Sequence, residues 1–245
     1  MLVDPRLVSH RQIWSKKPAL RKVYADYYQR IARYLIDGPT LEIGSGSGYL
    51  REYVKEIYMA DILPAPWLDI SADAESLPFA SRSLANIVML DVLHHISRPL
   101  SFFSEVSRIL RPGGRLVMLD PAITPISGII YKYFHPEPVD MSVDPFQADG
   151  LQSGSDPFDS NQALPTLMFG TPKRAAKFEA TYPSLQIIEN KYFGFATYPM
   201  TGGFRGWCFM PSFAVGMLLA LERALEPFFS RQSGFRLLVA LERLA

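Results

Sequence analysis

Apolar residues recur along the chain in two patterns, one typical of helices and one typical of buried strands. In residues 13–36 they are spaced three and four positions apart, which predicts a helix. Shorter, nearly continuous apolar runs are typical of strands in a buried parallel sheet. Such runs predict seven strands, at residues 40–43, 57–60, 67–70, 84–90, 115–119, 184–195 and 235–241.

Helices are predicted between these strands. A helix-like run covers residues 49–55, and a stronger pattern starts at Pro99, with Ser97 as its cap, and stops at the turn 112–114. Strands that alternate with helices over residues 40–120 indicate βαβ units and a doubly wound, mostly parallel α/β sheet. Right-handed crossovers then bring the residues that follow the strands to the carboxyl edge of that sheet.

The composition is that of an ordinary globular domain, with 48% apolar and 20% charged residues among 245. The formal net charge of +1 gives no electrostatic argument for a nucleic-acid partner. Cys208 is the only cysteine, so we expect no intramolecular disulfide, and its neighbours Trp207 and Phe209 predict that it is buried. The N-terminal residues lack the apolar core of a signal peptide, which together with the single cysteine predicts a cytoplasmic protein.

One apolar run requires a test against membrane insertion. Residues 207–221 are strongly apolar, but Pro211 and Gly216 interrupt them and Glu222 ends them. The run is shorter than the roughly 20 residues that cross a bilayer, so we expect no membrane span. A core helix, a cap helix and an interfacial helix with peripheral membrane contact all stay open.

Three glycines follow the first predicted strand and precede the first helix-like run. Gly44, Gly46 and Gly48 allow a ligand to approach the backbone closely, and a helix start there would add unpaired N–H groups. A dinucleotide fingerprint requires glycine or alanine where this chain has Tyr49. A phosphate-binding P-loop requires a Gly-Lys-Ser/Thr run that is absent here.

Four motifs in order carry a family resemblance. They are Glu42-x-Gly44-x-Gly46-x-Gly48, Asp73-Ala74-Glu75-Ser76-Leu77-Pro78-Phe79, Asp91-Val92-Leu93-His94-His95-Ile96 and Leu110-Arg111-Pro112-Gly113-Gly114-Arg115-Leu116. Together they resemble class I methyltransferases that use S-adenosylmethionine (SAM) and act on small molecules, and they cover roughly residues 38–120. The resemblance implies SAM as cofactor, S-adenosylhomocysteine as product and a small, lipophilic or aromatic acceptor.

The resemblance also implies roles for individual residues. Glu42 would orient the methionine end of SAM, and Asp91 would border the methionine moiety and the transferred methyl group. The remaining cofactor-binding candidates are Gly44, Ser45, Gly46 and Gly48 for the methionine and ribose, Asp61 for the ribose hydroxyls, and Asp73 with Ala74 for the adenine.

The sequence departs from the family between Asp61 and Trp67, where the connection is too short for a crossover helix. Either the third strand is displaced toward residues 70–72, or the crossover is trimmed to a loop. Both options weaken the assignment of Asp61 to the ribose and make Asp69 the substitute.

The resemblance divides one predicted domain into three parts. Residues 1–38 form an N-terminal helical cap, and residues 39–120 form the half that binds the cofactor. Residues 121–245 form the substrate half, which includes a Pro-, Gly-, Ser- and Asp-rich loop or lid at 135–165 and a helix at 213–228.

His94 and His95 are the catalytic candidates. In one interpretation a histidine accepts a proton from a substrate hydroxyl or amine as the methyl group arrives. In the other, one imidazole binds backbone and the other is exposed. Because methyl transfer from a sulfonium depends mostly on in-line positioning and exclusion of water, we favour the structural interpretation.

Two further sets of residues have both a functional and a purely structural interpretation. Acidic residues of the predicted lid do not follow calcium-loop spacing, so we predict a solvated loop and no metal; they are Asp140, Asp144, Asp149, Asp156 and Asp159. Aromatic residues could wall a substrate pocket or pack as ordinary core and cap; they are Tyr24, Tyr27, Tyr28, Phe193, Phe195, Tyr198, Phe204, Trp207, Phe209 and Phe213.

Two other functions are weighed against methyl transfer. A nicotinamide-dependent oxidoreductase could use a similar sheet, but Tyr49 argues against it. A non-catalytic protein of this fold could present residues 204–229 to an apolar partner or a membrane surface, but the intact glycines argue against loss of the cofactor. The fold itself does not identify the acceptor.

Overall fold

The computed structural model describes residues 3–147 and 156–245. Its centre is a sheet of seven strands in the order β3-β2-β1-β4-β5-β7-β6. The strands are β1 (Thr40–Ile43), β2 (Ile57–Asp61), β3 (Ile70–Ser71), β4 (Leu84–Leu90), β5 (Leu110–Pro121), β6 (Leu185–Phe193) and β7 (Arg236–Arg243). Strand β7 is antiparallel to β5 and β6, and the other pairs are parallel. The predicted seven-stranded, mostly parallel α/β sheet is confirmed.

Eight α-helices flank the sheet in the described residues. They are α1 (Pro5–Lys16), α2 (Pro18–Ala32), α3 (Pro99–Ile109), α4 (Pro125–Phe134), α5 (Leu164–Phe169), α6 (Pro172–Thr181), α7 (Thr197–Thr201) and α8 (Val215–Ser233). Phe102 and Phe103 of α3 belong to the core on one face of the sheet, and Leu20 and Val23 of α2 belong to the core on the other. The central strand β4 is buried on both sides, which explains its continuous apolar sequence.

The prediction of one helix over residues 13–36 was wrong. Helix α1 begins eight residues earlier, at Pro5, and the chain breaks at Lys17 before α2 starts at Pro18. The proline ring excludes the residue before it from helical backbone angles, and Pro18 itself fits the first turn of a new helix. The break lets α1 turn across the carboxyl edge of the sheet.

The helix predicted at residues 49–55 is also wrong, because only the 3₁₀ turn Leu50–Glu52 forms. Strand β1 ends at Ile43, and the left-handed glycine loop occupies most of the connection to β2. Too few residues then follow for a helix. Because no α-helix starts at this loop, a helix dipole does not contribute to anion binding there.

Two local expectations are resolved by the structure. The third strand is displaced to Ile70–Ser71, and the crossover before it is a loop, so both options foreseen for this connection apply. The cap of α3 is Arg98 rather than Ser97, because Pro99 at the first helical position fixes the start one residue later than a serine cap requires.

The substrate half contains a long connection. Residues 135–147 and 156–163 contain no helix or strand, as predicted, and Asp149 lies outside the described residues. The other four acidic residues of this segment are exposed, which fits a solvated loop. Cys208 is exposed, not buried, because residues 204–209 turn along the surface before α8 begins. Among the described helices, none is long and apolar enough to cross a membrane.

Candidate functional site

A cavity of about 710 Å³ opens at the carboxyl edge of the sheet. Its walls come from the glycine loop, from the residues that follow β2 and β4, and from segments of the two caps. Ligands of doubly wound sheets bind at this edge, because the loops there can vary while the strands hold them in place. The catalytic candidates His94 and His95 both line this cavity. All cofactor-binding candidates line it as well, with the exception of Asp69.

The glycine loop has a left-handed backbone at all three glycines, with φ of +66° at Gly44, +46° at Gly46 and +73° at Gly48. A Cβ atom on Gly44 would lie 2.3 Å from Cγ2 of Val92, so packing excludes a side chain there. A Cβ atom on Gly46 would meet only the Gly44 carbonyl, at 3.9 Å. Gly44 is therefore required by the fold, whereas the space beside Gly46 is open for a ligand.

Glu42 lies beneath this loop as a buried carboxyl group. Its Oε2 atom is buried without a hydrogen-bond partner in the described structure. Burial raises the pKa of Glu42 to about 8, and the nearby Asp61 carboxylate contributes to the same shift. A buried acceptor of this kind fits a ligand that brings a donor or a positive charge, as the ammonium group of SAM does.

Asp61 and Asp69 have different surroundings. Asp61 lines the cavity, and its carboxylate accepts hydrogen bonds from the Gly46 N–H at 2.8 Å and the Leu63 N–H at 2.9 Å. Asp69 does not line the cavity; it forms an ion pair with Arg51 and accepts from the Met59 N–H at 2.8 Å. The geometry favours Asp61 as the ribose candidate and gives Asp69 a structural role.

The adenine candidates lie on the next loop. Asp73 and Ala74 line the cavity, and the Asp73 carboxylate accepts a hydrogen bond from the Glu75 N–H at 2.8 Å. This local bond fixes the turn that follows β3 and leaves the Ala74 backbone beside the cavity.

Asp91 follows β4 with a left-handed backbone, at φ +59°. Its carboxylate forms an ion pair with the buried Arg236 and accepts a hydrogen bond from the Tyr24 hydroxyl at 3.3 Å. The Arg236 guanidinium also lies 4.2 Å from the centre of the Tyr198 ring. Sequence reasoning missed Arg236, although a charged residue at the start of an apolar strand was the available signal.

His94 is buried between two carboxylates. Its Nδ1 donates to Asp120 at 2.8 Å, and its Nε2 lies 3.5 Å from Oε2 of Glu137. Burial opposes protonation, but the two carboxylates outweigh it and raise the pKa of His94 to about 9. The same contact lowers the pKa of Glu137 to about 2, against the effect of its burial. His94 is therefore an imidazolium near neutral pH and has no lone pair to accept a substrate proton.

His95 is the opposite case. Its burial and the positive charge of His94 lower the pKa of His95 to about 4, so its imidazole is neutral near pH 7. Nδ1 lies 3.1 Å from the Asp159 carbonyl, which can only accept, so the ring proton is on Nδ1 and the lone pair is on Nε2. Of the two histidines, only His95 is in the state that a general base requires.

The two histidines and Glu137 form the one metal-capable group found among the described residues, with one ligand atom each within 4.8 Å of one another. Bonds of about 2.0–2.2 Å hold zinc, so the ligand atoms around one ion lie no more than about 4.4 Å apart. The group is thus slightly wider than an ion requires, and the imidazolium of His94 would have to lose its proton. The expectation of no metal stays a prediction.

The N-terminal cap covers the glycine loop directly. The Trp14 ring stacks on Tyr49 at 4.0 Å between ring centres, and Arg11 donates to the Ser47 carbonyl at 2.7 Å. Tyr24 and Tyr28 line the cavity, whereas Tyr27 packs in the core. The C-terminal aromatics divide in the same way. Tyr198, Phe204 and Trp207 line the cavity, Phe193 is core, and Phe209 and Phe213 are exposed.

Comparison with known proteins agrees with this geometry. Residues 41–118 match a family model described as a methyltransferase domain. The matched segment, about a third of the chain, is therefore similar to methyltransferase domains. A curated relative, the ubiquinone/menaquinone biosynthesis C-methyltransferase UbiE of Desulfotalea psychrophila, is 38% identical over 61 residues. That match covers 25% of this chain, and the chain spans about a quarter (24%) of the relative's length.

Solved structures show the same fold over most of the chain. A SAM-dependent methyltransferase from Archaeoglobus fulgidus has a TM-score of 0.55 at 12% identity, covering 91% of this chain and 94% of its own. The geranyl diphosphate C-methyltransferase of Streptomyces coelicolor has a TM-score of 0.51 at 12% identity, covering 91% of this chain and 80% of its own. The methyltransferase fold therefore extends beyond the segment that the family model matches.

Proposed function

We propose that the protein transfers a methyl group from SAM to a small, lipophilic acceptor bound in the 710 Å³ cavity. The observation that carries this proposal is one continuous cavity that joins the glycine loop to the pair His94–His95. At one end a buried acceptor lacks a partner, and at the other end a neutral imidazole has a lone pair. The first group suits a holder for the cofactor, and the second suits a general base for an acceptor that loses a proton.

The glycine loop and Glu42 are proposed to hold the methionine end of SAM. The open space beside Gly46 admits the cofactor, and the Glu42 carboxylate meets its ammonium group. Asp61 receives the ribose, while Asp73 and the Ala74 backbone receive the adenine. When bound, SAM supplies an electrophilic methyl group on a sulfonium.

The chain's own contribution to the chemistry is positioning, exclusion of water and one proton transfer. SAM held by the glycine loop and Glu42 would give its methyl group to a lone pair of the acceptor and would leave as S-adenosylhomocysteine. The acceptor's hydroxyl or amine proton passes to Nε2 of His95, because the Nδ1 proton of that ring is directed at the Asp159 carbonyl. His94, fixed by Asp120 and Glu137, positions Glu137 in the cavity wall.

The acceptor end of the cavity is mostly aromatic and apolar. Tyr131, Phe134, Phe158, Tyr198, Phe204 and Trp207 line it. Burial of apolar surface contributes roughly 25 cal/mol per Å², so this wall favours a lipophilic molecule with one ionisable or hydroxyl group near His95. The streptomycete neighbour, a C-methyltransferase, was crystallised with geranyl diphosphate, which is also lipophilic over most of its length.

We also propose a cytoplasmic location, which the single exposed thiol of Cys208 supports because such thiols persist in reducing compartments. The function is tested by calorimetric titration with SAM and S-adenosylhomocysteine, followed by methyl transfer to a panel of lipophilic phenols and amines. Binding of the cofactor with turnover of an acceptor supports the proposal. Absence of binding by both compounds at sub-millimolar concentration contradicts it.

A further inference from the structure

Helix α8 buries two carboxylates beside Val215 and Leu219, while several of its larger apolar residues are exposed. Glu226 is 3% exposed, whereas Met217 is 71%, Phe228 is 72% and Phe213, just before the helix, is 85% exposed. Amphipathic helices of globular domains bury their apolar stripe, so an exposed apolar stripe beside buried carboxylates is unusual.

The inward carboxylates prevent α8 from rotating to hide that stripe. Glu222 accepts hydrogen bonds from the Thr197 N–H at 2.7 Å and from the Thr197 hydroxyl at 2.6 Å. Glu226 forms ion pairs with Arg30 at 2.7 Å and Lys191 at 3.0 Å. Breaking a buried ion pair is strongly unfavourable, so the outward orientation of the apolar residues is a fixed property of the fold.

Helix α4 packs against α8 and has a second exposed apolar stripe. Ile126, Ile129, Tyr133 and Phe134 are all exposed on it. Its start is fixed by a capping box between Thr124 and Ser127. We call the exposed apolar residues of these two helices and the segment before α8 the outer apolar face; they are Ile126, Ile129, Tyr133, Phe134, Trp207, Phe209, Phe213, Met217, Leu221, Phe228 and Phe229.

This face is continuous with the mouth of the cavity. Phe134 and Trp207 belong both to the outer apolar face and to the cavity lining. Arg205 donates to the Phe134 carbonyl at 3.3 Å and joins the two segments at the mouth. A lipophilic molecule could therefore enter the cavity from the apolar face without crossing water.

The two segments that carry most of the outer apolar face contain basic but no acidic side chains. Residues 122–136 and 202–221 contain no Asp or Glu. Lys132 lies on α4, Arg205 lies at the cavity mouth, and the Lys22 ammonium donates to the Ser212 carbonyl at 2.8 Å, beside Phe213. Exposed apolar side chains with basic residues beside them match the interface of an anionic bilayer.

We infer that the outer apolar face docks on the surface of an anionic lipid bilayer and places the cavity mouth against it. Aromatic side chains and the apolar stripe insert to headgroup depth, and Lys132, Arg205 and Lys22 contact lipid phosphates. The acceptor then enters from the bilayer; this last clause rests on the proposed function, whereas the docking does not.

The test is co-sedimentation of the full chain with phosphatidylcholine vesicles that do or do not contain phosphatidylglycerol. We expect binding to the anionic vesicles and at least about tenfold weaker binding for Met217→Asp and for Phe213→Asp, because each places a charge where apolar contact is expected. Tyr58→Asp is the matched control, since Tyr58 is exposed on β2 outside this face and its loss should leave binding unchanged. Equal binding by all three variants contradicts the proposal.

A further variant separates the electrostatic contribution to vesicle binding from the apolar contribution. Lys132→Glu should weaken binding to the anionic vesicles severalfold and leave weak binding to neutral vesicles unchanged. The rival occupant is a second copy of this chain. A dimer in analytical ultracentrifugation that Met217→Asp dissociates, with no vesicle binding by the native protein, overturns the bilayer proposal. Circular dichroism of each variant reports folding independently of cofactor binding, so failure of the methyl-transfer proposal leaves this test intact.

Discussion

Arg236 and Asp91 form a partly buried ion pair that joins the last strand of the chain to the loop after β4. Asp91 has a left-handed backbone, and the Arg236 side chain is 2% exposed and packs beside the ring of Tyr198. The pair couples the wall of the cofactor cavity to the C-terminal end of the chain, 145 residues away in sequence.

Arg236→Ala should destabilise the protein by about 3–5 kcal/mol, because it leaves the Asp91 carboxylate without its cation and opens a gap beside Tyr198. Urea denaturation measures the free energy of unfolding. The exposed Arg231→Ala on α8 is the control and should change it by less than about 0.5 kcal/mol. A loss below about 1 kcal/mol for Arg236→Ala would show that the pair is not structurally important.

Glu42→Gln should raise the stability of the ligand-free protein and weaken SAM binding. The folded pKa of about 8 is raised above the ordinary value of 4.5, so ionisation above pH 4.5 favours the unfolded chain and costs folded stability as pH rises to about 8. Glutamine removes that cost, so the melting temperature at about pH 8 should increase, while calorimetry shows at least about tenfold weaker SAM binding. A variant with unchanged SAM affinity would remove Glu42 from the site.

The same residue predicts a pH dependence of cofactor binding. Below about pH 8 the ligand-free carboxyl is protonated, so a cationic ligand must displace a proton. The affinity for SAM should therefore rise between about pH 6 and pH 8, by at most about tenfold per pH unit. Glu42→Gln should flatten this dependence, and a native protein with a flat profile would contradict it.

The folded protein should lose stability between about pH 6.5 and pH 9 through His94. Its pKa is raised from 6.5 to about 9, so its contribution is complete below pH 6.5 and is lost as pH rises through 9. The loss should be on the order of 3 kcal/mol in the native protein and smaller in Glu137→Gln, which removes one of the two carboxylates. Urea denaturation at both pH values measures it. The same slope in both proteins would show that Glu137 does not hold the proton on His94.

His95→Ala should lower kcat by roughly 10²–10⁴-fold and leave SAM affinity unchanged, because the imidazole accepts the acceptor's proton and does not contact the cofactor. Since the pKa of His95 is about 4, the native rate should be limited by this group only in acid, near pH 4. An unaltered kcat in the variant would restore the structural interpretation of the histidine pair.

The strands were predictable because burial on both faces leaves a continuous apolar run, and β1 and β4 have the predicted bounds. The region after β1 was predicted incorrectly. The glycine loop from Gly44 to Gly48 leaves too few residues for an α-helix before β2, so only a 3₁₀ turn forms. The apolar neighbours of Cys208 predicted that it is buried, and this prediction was wrong because the residue is exposed.

The site was predictable in part. The glycine loop, Asp73 and Asp91 follow strands in order, so the topology brings them to one cavity. Glu137 and Arg236 were not foreseen, because they are distant in sequence and meet the site only through the cap and the antiparallel last strand.

Binding of SAM against the glycine loop can be tested directly at Gly46, with Gly44 as the contrast. At Gly46 a Cβ atom meets only a carbonyl at 3.9 Å, so Gly46→Ala should cost about 1–2 kcal/mol of backbone strain and still fold. Gly44→Ala is the contrast, since its Cβ collides with Val92 and should destabilise the fold. Gly46→Val enlarges the obstruction and should abolish SAM binding.

Calorimetric titration of native protein and Gly46→Val with SAM, S-adenosylhomocysteine and NADP⁺ is the decisive measurement. We expect one site per chain for both SAM and S-adenosylhomocysteine, no binding of NADP⁺, and loss of both cofactor signals in a variant that keeps its circular dichroism spectrum. Equal affinity of the variant and the native protein for SAM, or binding of NADP⁺ in place of SAM, would contradict it.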